Sequence, residues 1–106
     1  MKSPTIIGLV LFVILASGPV QAQQTDDELG NILTDGIGYL TMGNFDAAFE
    51  LVDQIESAEN QDLLIGNIWN FATAAQDCKV MKKAIEKFNS ISMKALFSTN
   101  LKLLCP

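Results

Sequence analysis

Residues 61–76, QDLLIGNIWNFATAAQ, are apolar at Leu64, Ile65, Ile68, Trp69, Phe71, Ala72 and Ala75. At 3.6 residues per turn these positions fall on more than one side of a helix. A helix that is apolar on several sides has to be surrounded by other elements. The stretch therefore predicts a central core helix beginning near Gln61-Asp62. No β-branched alternation accompanies it, and no Asn-Gly or Asp-Gly turn joins alternating runs, so nothing in the chain argues for a hairpin.

Moving toward the N-terminus, Phe45, Ala48, Phe49, Val52 and Ile55 form one apolar stripe at helical spacing, with Asp46, Glu50, Asp53 and Glu56 largely outside it. Gly43 suits a helix stop and Asn44 a cap for the helix that follows. Ser57 to Asn60 reads as a turn. A first helix is expected from about Asp26 to Met42, opened by the acids of Thr25-Asp26-Asp27-Glu28, which complement a helix N-terminus. Gly30, Gly36 and Gly38 weaken it by about 1 kcal/mol each relative to alanine. They allow either close packing or a break near Asp35-Gly36.

Toward the C-terminus, Met81, Ala84, Ile85 and Phe88 share one side while lysines occupy the other. Asn89-Ser90 is a weak break, and Met93, Leu96, Phe97, Leu101 and Leu104 make a last stripe. The expected fold is all-α: a small secreted bundle of four to five short helices.

The first 22 residues have the organisation of an export signal. Lys2 supplies a positive start, Ile6 to Ala16 is an unbroken apolar run, and Val20-Gln21-Ala22 puts small residues at the two positions a signal peptidase reads. Spanning a bilayer takes about twenty apolar residues, so a cleaved signal fits better than an anchor. The expected product is an extracellular single domain, residues 23–106, with no transmembrane segment.

Composition excludes much. The 106-residue chain has no histidine, and all seven of its basic residues are lysine. The commonest general base and metal ligand is thus missing. No nucleophile elbow, phosphate loop or calcium loop appears. The reading is a non-enzymatic protein with no catalytic residue, no metal site and no cofactor. Asp53 and Glu56 lie about one turn apart and are better read as a solvated acidic face than as a catalytic pair. Residues 38–55 resemble the turn of a tetratricopeptide repeat, but one unit cannot bury its own face.

Charge is divided. Residues 23–77 hold eleven acids and no base, whereas residues 78–106 hold six lysines and Glu86 as their single acid. The plain reading is that the two halves face each other, within a chain or across a dimer. The sharper one is that the lysine-rich end touches an anionic membrane or an acidic partner. An acidic, exported chain without arginine is not expected to bind nucleic acid.

Cys78 and Cys105 are 27 positions apart. If the chain folds back at Asn89-Ser90, they meet at the open end of a helical hairpin. If it continues as one helix, they lie about 40 Å apart and pair with a second chain. Two thiols without histidine do not complete a tetrahedral metal shell.

Aromatic and methionine side chains occur on every expected helix. They serve equally as an ordinary core or as the wall of an apolar cavity. In the second case Phe45, Phe49, Trp69, Phe71, Met81 and Phe97 are the candidate ligand-binding residues.

The segment TDDELGNILTDGIGYLTMGNFDAAFELV, the position of Cys78 near the end of the third helix, and the ending LKLLCP together resemble the secretoglobin (uteroglobin-like) family. The resemblance implies a small exported four-helix chain that dimerises, often through disulfides, around a cavity for small hydrophobic molecules. The family's cysteine near the mature N-terminus is absent here, where QQTDDEL stands. Asp77 precedes Cys78 and Val80 follows it by two, out of register with the family pattern. The expected function is binding of a small hydrophobic molecule, as a monomer or as a homo- or hetero-dimer. The alternative is a protein-binding effector of a reproductive or salivary fluid, or a cationic host-defence peptide drawn from the stretch Cys78 to Leu104.

Overall fold

A computed structural model describes residues 24–106, so the proposed export signal at residues 1–22 lies outside the described residues. Within them the chain is all-α. The helices are α1 (Asp26–Thr41), α2 (Phe45–Val52), α3 (Ala58–Ala74), α4 (Cys78–Lys87) and α5 (Ile91–Leu104).

Each helix begins on a side-chain cap, which explains why the breaks fall where they do. Thr25 and Glu28 form a reciprocal capping box at α1. Asn44 accepts from the Ala47 N–H, Ser57 from the Asn60 N–H, Asp77 from the Val80 N–H and Ser90 from the Met93 N–H. The Ser57 cap corrects the reading of residues 57–60 as a turn. Only Ser57 lies outside the helix, and α3 starts three to four residues earlier than expected.

The second helix ends earlier than its stripe suggests, at Val52. Asp53, Gln54 and Ile55 donate to the carbonyls three residues back, so the last turn tightens while Ile55 stays in the core.

Two helices end on left-handed residues. At α1 this is Gly43 (φ 75°), with Asn44 N–H bonded to Tyr39 O. At α3 it is Gln76 (φ 56°), with Asp77 N–H bonded to Ala72 O. Both are Schellman closures, which satisfy carbonyls that a helix end otherwise leaves open.

The core is built around α3, as its sequence predicts. Leu64, Ile65, Ile68, Trp69 and Ala72 are buried there, against Leu40 of α1, Ala48, Phe49 and Val52 of α2, Met81 and Ala84 of α4, and Phe88 just beyond it. Gly36 lets α1 come close: a β-carbon there would lie 2.9 Å from Leu64 Cδ1. The glycine thus serves close packing, and α1 runs unbroken through Asp35-Gly36. Gln24 ties the start of the described chain to the α2–α3 turn, its amide exchanging hydrogen bonds with Gln54 O and the Glu56 N–H.

Helix α5 is different. It contributes no fully buried residue. Met93, Phe97 and Leu101 pack half-buried against the core, and both ends of the helix are tethered. Among the described residues, no helix is long and apolar enough to cross a membrane.

Candidate functional site

The cysteines define one end of the bundle. Cys78 opens α4 and Cys105 follows α5, and the two form a disulfide within the chain, with Cα atoms 6.0 Å apart. The fold-back at Asn89-Ser90 decides between the two pairings that the sequence leaves open. At the other end of the hairpin, the Asp62 carboxylate of α3 accepts the backbone N–H groups of Asn89 and Ser90 at 2.7 and 3.1 Å, and the Asn89 side-chain amide at 3.1 Å. Asp62 is the one buried charged residue among those described.

The six residues expected to line an apolar cavity divide into two groups. Phe49, Trp69 and Met81 are buried in the core, whereas Phe45, Phe71 and Phe97 are half-buried against it. Trp69 and Phe97 meet directly, ring centroids 5.0 Å apart, and Phe97 stacks on Phe88 at 4.9 Å. Such ring pairs add about 0.5–1.5 kcal/mol beyond their buried area. Phe49, in the same core, lies under the Lys83 ammonium at 4.6 Å. Phe49 edges a groove with Asp46, Glu50, Asp53, Lys83 and Lys87, and Met81 edges a different one with Cys78, Leu104 and Cys105. The six therefore do not converge on either of those grooves.

A more apolar groove lies between the N-terminal ends of α3 and α5. It has a volume of about 610 Å³ and is lined by Glu59, Asn60, Asp62, Leu63, Ser90 and Met93. Leu63 and Met93 supply its greasy walls. Met93 sits one turn before Phe97 on the same stripe, and Phe97 in turn meets the rings of Trp69 and Phe88. The sequence reading missed Asp62 and Leu63. Asp62 carried a signal: an acid three residues before Ile65 and seven before Trp69 lies on a core-facing side of its helix.

The division of charge is only loosely closed within the fold. Lys83 reaches Asp46 at 3.8 Å, the one ion pair among the described residues, and Asp46 is 93% exposed. A pair this wet is worth at most about 1 kcal/mol. Most lysines of α4 and α5 thus face solvent, as do the acids Asp53 and Glu56. No group of three or more histidine, cysteine, aspartate or glutamate side chains suited to a metal occurs among the described residues. No protein-family model, no curated protein and no solved structure matches this chain.

Proposed function

We propose that this chain is a secreted, non-enzymatic protein that binds a small hydrophobic molecule in the groove between α3 and α5. The observation that carries the reading is the pairing of Leu63 with Met93 in an open groove of about 610 Å³, with Met93 on the same α5 stripe as Phe97, whose ring meets Trp69. Small-molecule sites run from about 300 to 1,000 Å³ and combine apolar walls with a few polar groups. Methionine adapts its shape to irregular ligands. Asn60 and Ser90 supply the polar contacts.

The acids set the ligand class. Glu59 and Asp62 both line the groove, so an anionic head group meets like charge. The ligand is neutral, with a hydroxyl as its polar end, rather than a fatty-acid anion. Because the groove is open, a bound molecule keeps one side uncovered unless a second chain closes over it, which supports the dimeric variant of the reading.

The test is a Trp69 fluorescence titration with a sterol alcohol and, separately, a long-chain fatty acid. A saturable change with the alcohol, weakened at least tenfold in Leu63→Lys and Met93→Lys, is expected. No saturable change with either probe, or equal binding by both variants, overturns the assignment.

A further inference from the structure

Four of the seven exposed large apolar side chains among the described residues lie on α5: Ile91, Leu96, Leu103 and Leu104. Leu96 and Leu103 are 59% and 77% exposed and, seven residues apart, share one side of the helix. The only charged residues of α5 are Lys94 and Lys102, and α4, bonded to it through Cys78–Cys105, adds the exposed Lys79 and Lys82, while its Lys83 and Lys87 lie against the acids of α2. A greasy, cationic surface is thus presented by a chain whose remaining half is strongly acidic. From this juxtaposition we propose that α5 docks the protein on an anionic phospholipid bilayer, with Leu96 and Leu103 entering the interface and the lysines meeting the head groups.

Charge and area both favour a bilayer over a second copy. Packing α5 on α5 offers its lysines no acid to meet. A helix of 14 residues is about 21 Å long and about 10 Å wide, a footprint far below the roughly 800 Å² per partner of a stable protein interface. A bilayer asks for no complementary shape. An amphipathic helix lies in its surface plane with the apolar side buried about 5–10 Å, and lysine stems reach back to the head groups. The helix is also fixed in place. Asp62 holds the backbone at Ser90, and Cys78 holds Cys105, so the outward face is presented without being unfolded. The inference is independent of the groove, because Leu96 and Leu103 do not line it.

The test uses the protein from Gln23 onward, whose described residues carry their own core. It is sedimented with vesicles of phosphatidylcholine alone and with vesicles containing phosphatidylglycerol. Binding to the anionic vesicles is expected to exceed binding to the neutral ones at least tenfold and to weaken with salt. Leu96→Ser/Leu103→Ser should lower it at least tenfold, while the circular-dichroism spectrum and the groove titration stay unchanged. Lys102→Glu should lower it by a smaller factor. Absent or charge-independent vesicle binding, or an unaffected double variant, overturns the proposal. So does a dimer that the double variant dissolves, since that assigns the face to a second copy.

Discussion

The Asp62 carboxylate lies 2.7 Å from the backbone nitrogen of Asn89, joining the start of α3 to the turn that reverses the chain between α4 and α5. Its two oxygens take backbone N–H groups from two successive residues, and both would otherwise be unpaired at a part-buried turn. Hydrogen bonds to a charged partner contribute about 1.5–3 kcal/mol, and leaving a buried donor unmade costs its desolvation. Asp62→Ala should therefore lose about 2–4 kcal/mol in urea unfolding. Asp62→Asn, which keeps one acceptor oxygen, should lose less. An unchanged midpoint for Asp62→Ala would show that the turn is held by other contacts.

The three glycines of α1 separate by what surrounds them. A β-carbon at Gly30 or Gly38 meets nothing within 4 Å, whereas one at Gly36 meets Leu64, which is fully buried. Gly30→Ala and Gly38→Ala should each stabilise by about 0.5–1 kcal/mol, the helix-propensity gain. Gly36→Val should destabilise by about 1–3 kcal/mol, because the added methyls push on a packed side chain. Thermal melts of the three variants check the contrast. A stabilised Gly36→Val would mean that α1 and α3 are less closely packed than the structure has them.

The residues themselves show why some of this was legible in the sequence and some was not. Gly43-Asn44 announced a stop and a cap because both roles depend on local backbone chemistry. Ser57 plays the same capping role, yet SAEN looks like a polar loop, since the first turn of α3 is solvated at Ala58 and Glu59. The α3 stripe announced burial, because the spacing of Leu64, Ile65, Ile68 and Trp69 admits no other arrangement. Spacing did not say whether inward-facing aromatics leave a gap. Core and pocket side chains have the same period, so spacing alone does not tell one from the other. The bond from Asp62 to Asn89 spans 27 residues and has no local signature.

Left-handed residues offer a matched pair of tests. Gly43 and Gln76 hold equivalent closing positions at α1 and α3, with φ of 75° and 56°. Glycine adopts this conformation freely, whereas a side chain costs about 1–2 kcal/mol there. Gln76→Gly should stabilise by about 0.5–1 kcal/mol once the extra freedom of glycine in the unfolded chain is subtracted, and Gly43→Ala should destabilise by about 1 kcal/mol. Opposite signs in the same unfolding assay are the diagnostic result.

The disulfide closes a loop over 27 positions and tethers the C-terminal end of α5. In the chain-entropy model a loop of that size stabilises by roughly 3–4 kcal/mol, by restricting the unfolded chain. Because α5 has no fully buried residue, it is held once the bond is gone only by its half-buried Met93–Phe97–Leu101 stripe and by Asp62 at its start. Cys78→Ala/Cys105→Ala should therefore do two separable things. It should lower global stability by about 3 kcal/mol. It should also raise amide exchange in α5 well above that in α3, whose core contacts are untouched. Non-reducing electrophoresis of the wild-type chain should show a monomer, as an internal bond requires. Exchange that rises equally in α3 and α5 would show that the last helix is held by its Met93–Phe97–Leu101 stripe rather than by its ends.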